Sequence, residues 1–331
     1  MQTRHGHIGY LLGAAAGITY GLNPLFTIPL YNDGMDAYSV LFFRYLFGML
    51  TIAVMLFIRQ PQETAPDGEP VQRRHGQSPF AIFAIGRKYL LPLFLLGVSM
   101  GVSSLTLFVS YNYMDAGIAS TLLFVYPIMV AVGMAIFFHE KLTMQTILCI
   151  LTASVGIFLL YKQGDGATLS LAGTVIVLVS ALTYAVYLIG INRHGLNHIP
   201  TLKITFYILL FALLVYVVCV VANGQLAVPT AGRWYLWFNL LALGLLPTVV
   251  SFTCSTIAIQ HVGPTPVAIL GAFEPATAVF CGIVFLGESL TLREGIGLTL
   301  IVLAVITVVA GGSITKPLTR FRKLFPRKDK S

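Results

Sequence analysis

The sequence predicts an all-α integral membrane protein, with ten transmembrane helices arranged as a five-plus-five inverted repeat. Three observations carry that prediction. Hydrophobic residues fill 57% of the 331 positions and charged residues only 10%, whereas an ordinary soluble domain is about one-quarter charged. Apolar runs of roughly 20 residues recur along the whole chain, and at 1.5 Å per residue each crosses a ~30 Å hydrocarbon layer. Finally, two stretches 148 positions apart share their punctuation: Tyr126-Pro127 to His139-Glu140-Lys141-Leu142-Thr143, and Glu274-Pro275 to Gly287-Glu288-Ser289-Leu290-Thr291.

The segments read near residues 8–30, 38–58, 89–111, 117–138, 144–161, 169–190, 201–222, 236–258, 264–286 and 295–312. They are too long for barrel strands and lack period-two alternation, so helices are the structures that satisfy their backbone in lipid. The first has Arg4 ahead of an apolar run, as a signal peptide would. It is long, broken at Asn23-Pro24 and without a persuasive small-residue cleavage site, so it reads as a retained helix. Between segments two and three, Gln60 to Ser78 carries Pro61, Pro66, Gly68, Pro70 and charges of both signs, a disordered loop near 60–79. Segments four and five are separated only by the short turn from His139 to Thr143. Repeat boundaries follow at 1–161 and 169–312, with a basic tail at 313–331.

Ten crossings put both termini on one side. Sixteen of the 20 Lys and Arg residues fall on that side, three (Lys162, Arg233, Arg293) on the other, and Arg44 lies within a helix. By the positive-inside rule the termini and the 59–88 loop are cytoplasmic, in a multi-pass protein of the cell membrane. Topology therefore accounts for the net charge of +8, and nucleic-acid binding is not expected. The tail from Lys316 to Lys330 is read as solvated, with attraction to anionic lipid headgroups as the alternative. Cys149, Cys219, Cys254 and Cys281 lie inside predicted helices with no C-x-x-C spacing, which points to packing rather than a disulfide or a metal site.

The first helices of the halves correspond at an offset of 164, with Thr19 and Tyr20 falling on Thr183 and Tyr184, and Asn23 on Tyr187. Five helices per repeat is an odd number, so the second copy enters the membrane inverted. An internal inverted duplication is the usual architecture of secondary transporters, whose halves rock around a midplane site. The pattern resembles the EamA-type members of the drug/metabolite transporter superfamily. Pro127 through Thr143 and Glu274 through Thr291 carry the resemblance, both ending like that family's G-E-x-L-T turn, with Arg44 in the second helix as a further match; His139 stands where the first repeat would have Gly. The resemblance covers nearly the whole chain. It implies a central cavity lined by helices one, three, four, six, eight and nine, with five and ten peripheral.

Glu274 lies ten residues into segment nine, roughly 15 Å from its start and near the bilayer centre. A carboxylate there is destabilising by about 2.5–3.5 kcal/mol on insertion scales and normally faces a wet cavity. It is read as a substrate or proton site, against a buried carboxylate held by neighbouring hydroxyls. Arg44 lies about 9 Å inside segment two, where it either snorkels outward or packs between helices, or faces the cavity to pair with Glu274 or a substrate carboxylate. Tyr20, Asn23, Tyr111, Asn112, Tyr126, Tyr184 and Tyr187 are candidate lining residues, with helix packing or interfacial placement as the alternative. Pro127 and Pro275 are paired hinge candidates, and Glu140 and Glu288 are read as turn architecture rather than chemistry. Gly13, Gly17 and Gly21, like Gly97 and Gly101, form small-xxx-small steps for close helix contact.

An enzyme would need a nucleophile with its base, a metal cluster or a phosphate-cradling loop, and the sequence offers no H-E-x-x-H, no Asp-x-x-x-Asp and no such glycine loop. A channel or a receptor would use the same helices, but an inverted repeat with broken midplane helices favours alternating access. The expected partners are a small-molecule substrate and the lipid bilayer, with a homodimer left open and no cofactor. The pathway carries one charge of each sign and no dense basic cluster. That suits a small zwitterionic or neutral metabolite, an amino acid first, rather than a nucleotide. Efflux is the direction implied by the family resemblance.

Overall fold

The computed structural model describes residues 2–59, 83–113, 119, 122–139, 143–160, 171–193, 196, 199–286, 292–293, 295–297, 299–304 and 307. All regular structure among these residues is helical. The predicted loop near 60–79, the turn glutamates Glu140 and Glu288, and the basic tail lie outside the described residues.

Among the described residues, six predicted segments form spans of membrane-crossing length: His7–Asn32, Ala37–Arg59, Arg87–Ser110, Leu171–Ile191, Thr201–Asn223 and Trp234–Val262. Shorter apolar helices occur at Tyr126–Phe138, Met144–Gly156 and Gly295–Ala304. Large apolar side chains are exposed all round the bundle, Leu11, Ile58, Leu151, Leu171, Val221 and Trp234 among them. That surface belongs in lipid, and the chain is a multi-pass membrane protein.

Proline decides where the long segments break. Segment one is α1 (Gln2–Tyr20) and α2 (Asn23–Asn32), joined by a turn at 21–22. Pro24 has no N–H to give the Tyr20 carbonyl four residues earlier, and it stands in the first turn of α2, where a missing donor does no harm. The second segment is α3 (Ala37–Arg59), and the third is α4 (Arg87–Ser110). In segment four a turn at 124–125 precedes α5 (Tyr126–Phe138), with Pro127 in its first turn. There follow α6 (Met144–Leu160), α7 (Leu171–Arg193) and α8 (Thr201–Asn223). Segment eight runs as α9 (Trp234–Gly244), one π-helical turn (Leu245–Val250) and α10 (Ser251–Val262). Segment nine is α11 (Pro264–Leu270), a turn at 271–272 and α12 (Phe273–Leu286), so Glu274 sits in the first turn of a half-helix rather than deep inside a continuous one. The counterpart of the α1/α2 break in the second half is absent: α7 runs unbroken through Tyr187, with Leu188 where the first half has Pro24.

Small residues set the packing. Added Cβ atoms would come within 2.9 Å of the Ile208 carbonyl oxygen at Gly97, and within 3.1 Å of Ala212 Cα at Gly101, so α4 lies backbone-close to α8. Against α7 the same helix makes a reciprocal pair: Ser103 Oγ donates to the Ser180 carbonyl (3.0 Å) and Ser180 Oγ donates to the Ser103 carbonyl (2.7 Å). Such interhelical bonds add to packing where lipid supplies no hydrophobic drive between helices. At one end of the bundle the extended segment 225–230 crosses the turn between α2 and α3. There Ala227 N–H donates to Ser39 Oγ, while Thr230 and Arg233 both donate to Asp33. At the other end Lys203 Nζ donates to the Ala84 carbonyl and Tyr207 donates to the Phe83 carbonyl.

Candidate functional site

The helix breaks converge on one pocket. Gly13, Ala16, Gly17 and Tyr20 of α1 line it beside Ser251, Phe252 and Ser255 of α10, which pack directly on α1 with Ser251 Oγ donating to the Ala16 carbonyl at 3.0 Å. Tyr126 at the start of α5 and Tyr184 and Tyr187 of α7 close the side, and Val267, Gly271 and Glu274 bring in the interrupted segment nine. The pocket is a narrow cleft with a cavity volume of about 20 Å³, room for about one water molecule.

Close backbone approach builds it. A Cβ on Gly17 would lie 2.9 Å from the Leu270 carbonyl oxygen, and one on Gly21 would collide with the Glu274 carbonyl. At Gly271 a Cβ would overlap the Tyr126 hydroxyl, which donates to the Ala268 carbonyl at 3.1 Å. Tyr126 therefore occupies the notch in segment nine. Across the break, Glu274 N–H returns to the Gly271 carbonyl at 2.9 Å, and Pro275 has no N–H for that carbonyl. The carboxylate of Glu274 stands at the N-terminus of α12, where the helix dipole favours negative charge.

A line of rings bounds the space. Tyr126 and Tyr184 meet edge-to-face at 4.8 Å, Tyr184 and Tyr187 stack at 5.9 Å, and Tyr187 leads through Phe252 to Tyr20, each at 6.4 Å. Aromatic pairs in this distance range are mutually favourable and stiffen the wall they form.

Arg44 takes the interhelical packing role rather than snorkelling or lining the pocket. It is fully buried, and its Nε donates to Thr248 Oγ1 at 2.8 Å while Nη2 donates to the Pro247 carbonyl at 3.3 Å. The guanidinium carbon lies 5.4 Å from the Tyr20 ring centre, 5.6 Å from Tyr45 and 5.8 Å from Phe108. No ion pair joins Arg44 to Glu274 among the described residues. The reason is the π turn. Pro247 cannot donate to the Leu243 carbonyl, Thr248 Oγ1 does so instead at 2.9 Å, and the buried Thr248 hydroxyl and Pro247 carbonyl of this turn hold the guanidinium.

The geometry thus brings Tyr20, Tyr126, Tyr184, Tyr187 and Glu274 together and leaves other candidates apart. Asn23 opens α2, buried, with its Oδ1 unpartnered. Tyr111 and Asn112 lie past the end of α4 and do not line the pocket; Tyr111 packs on Phe108 at 5.6 Å, and Asn112 is exposed. Nor does α4 contribute, although the resemblance implied a wall from helix three, because Gly97 and Gly101 draw it against α8. Sequence reasoning missed Ser251, Phe252 and Ser255. The i, i+4 spacing of the two serines in an apolar segment was the available signal.

The model of the EamA-like transporter family matches residues 7–162 and again 171–310. The chain belongs to that family. Among curated relatives of this EamA-like transporter, the threonine/homoserine exporter RhtA of Salmonella typhimurium is 27% identical over 224 residues, 67% of this chain and 70% of the exporter. An uncharacterized transporter of Archaeoglobus fulgidus is 26% identical over 280 residues, 83% of this chain and 87% of its own length. A solved crystal structure superposes with a TM-score of 0.74 at 14% identity, covering 92% of the EamA-like chain and 97% of its own. At that identity the likeness concerns the fold alone. Family and relatives are transporters, not enzymes.

Proposed function

We propose that this protein is a secondary transporter that exports a small amine-bearing metabolite, an amino acid or a close zwitterionic or neutral derivative. It works by alternating access through ten helices in a five-plus-five inverted repeat. The observation that carries the reading is Glu274, a pocket-facing carboxylate with no ion-pair partner among the described residues, set in a wall of tyrosines and serines. A carboxylate at a half-helix start suits an ammonium group. Aromatic faces add cation–π attraction, and hydroxyls orient the remainder of the solute. Breaks at 21–22, 124–125 and 271–272 are natural hinges, because each already lacks regular helix bonding. The likeness to a 27%-identical threonine/homoserine exporter supports both class and direction. The basic asymmetry supports cytoplasmic termini.

The test is transport of radiolabelled L-threonine by protein in liposomes. Flux should saturate and show trans-stimulation, Glu274→Gln should abolish it or its pH dependence, and Tyr20→Ala or Tyr184→Ala should weaken it. Unchanged flux and pH dependence in Glu274→Gln would return Glu274 to a structural role. Orientation is checked by cysteine labelling at Ser78 and Ser331 in a background without the native cysteines. An impermeant reagent that labels both in intact cells reverses the topology.

A further inference from the structure

Arg44 closes a loop of contacts that ends at the pocket. Its Nε and Nη2 hold Thr248 Oγ1 and the Pro247 carbonyl, and Thr248 stands about one helical turn before Phe252 of α10. Phe252 stacks on Tyr20, with ring centres 6.4 Å apart and planes 20° from parallel. The Tyr20 ring in turn carries the guanidinium, whose carbon is 5.4 Å from its centre. A second ring reinforces the loop. Tyr45 lies 5.6 Å from the guanidinium carbon and 6.1 Å, edge-on, from Phe252, and its hydroxyl is fixed on Ser104 Oγ at 2.8 Å. Tyr20 and Phe252 line the Glu274 pocket, while Arg44, Thr248 and Tyr45 are buried outside its lining.

Repair of the π turn does not by itself call for a cation. Thr248 answers the Leu243 carbonyl, and a neutral amide has N–H groups enough for Thr248 and Pro247. A fully buried guanidinium with no ion-pair partner among the described residues is destabilising. What its charge does meet is aromatic, and a desolvated cation over a ring is attracted to it. We propose that Arg44 is a positioning residue for the transport site: by cation–π attraction it holds the Tyr20 ring in the pocket wall, and through Thr248 it ties that wall to Phe252. This inference rests on the transport reading above and adds to it a residue that never touches the solute. The loop joins α1 and α3 to segment eight, so it fixes the wall where sequence-distant helices meet. Without the guanidinium the Tyr20 ring loses the charge that orients it, while Glu274 keeps its place at the start of α12. The loss therefore falls on solute binding rather than on turnover.

The experiment is a double-mutant cycle on Arg44→Gln and Tyr20→Ala in the full-length protein, read as L-threonine transport in liposomes and as thermal unfolding. Arg44→Gln should raise KM about tenfold, within what a desolvated cation–π contact supplies, and leave kcat within about twofold. Tyr20→Ala should raise KM at least as much. The double variant should match Tyr20→Ala, and its loss of melting midpoint should fall short of the sum of the single losses. Arg44→Lys keeps the charge and should recover part of the KM. If Arg44→Gln does not fold, the Lys variant enters the same cycle, and its own KM rise should vanish beside Tyr20→Ala. A lower midpoint with KM unchanged, or KM factors that multiply in the double variant, would mean that Arg44 serves packing alone, and either result overturns the proposal. Failure of the transport reading looks different: wild type then shows no saturable L-threonine flux, whereas the midpoint losses stay sub-additive.

Discussion

Arg44 Nε donates to Thr248 Oγ1 at 2.8 Å, joining two helices 204 residues apart in sequence, and the same hydroxyl donates to the Leu243 carbonyl. One threonine thus repairs the bond that Pro247 removes and anchors a buried cation. Thr248→Val keeps the shape and loses both bonds. It should destabilise the protein by about 1–3 kcal/mol, because a buried carbonyl and a charged donor lose their partner. Thr248→Ser should retain most of the stability. A Val variant melting with wild type would mean that the π turn does not depend on this hydroxyl.

Tyr126 and Gly271 constrain each other across the segment-nine break. Gly271→Ala should lower the melting temperature, since the new methyl overlaps the Tyr126 hydroxyl. Adding Tyr126→Phe should recover part of the loss, a coupling of about 0.5–3 kcal/mol in a double-mutant cycle. Strict additivity of the two changes would place Tyr126 elsewhere.

His139 ends α5 with φ of 54°, in the left-handed region, where glycine has no Cβ penalty. His139→Gly should therefore stabilise the protein by about 1 kcal/mol. Thermal unfolding reads the effect, and a lower midpoint for the glycine variant contradicts it.

Asp33 is held below the usual carboxylate range, first by the Thr230 backbone N–H, and further by the Thr230 hydroxyl and Arg233. The folded value is depressed, so its contribution is fully present above the unfolded value of about 3.9 and disappears as pH falls through the folded value. Asp33→Asn should melt below wild type at pH 7, with the gap closing on acidification below about pH 4. A gap that persists or grows in acid would show that the carboxylate's charge is not what ties the 225–230 segment down.

The sequence by itself determined the membrane class and pointed to the family; it predicted ten crossings, of which six stand among the described residues as spans of membrane-crossing length, because apolar run length is a local property that lipid reads directly. Repeat register also pointed at the pocket: Tyr20 with Tyr184, at offset 164, and Tyr126 with Glu274, at offset 148, all face it. Only the tertiary structure decided that Arg44 serves the π turn rather than Glu274. The Thr248 hydroxyl and the Pro247 carbonyl that hold it are 204 and 203 residues from Arg44, and no spacing rule links them. The structure alone showed segment nine broken just ahead of Glu274, which changes that residue from a mid-helix charge into a helix-start carboxylate. Ser251, Phe252 and Ser255 entered the pocket for a similar reason. The two serines at i and i+4 mark a face of that helix, but which neighbour the face meets is set by what packs against it, here the glycine wall of α1.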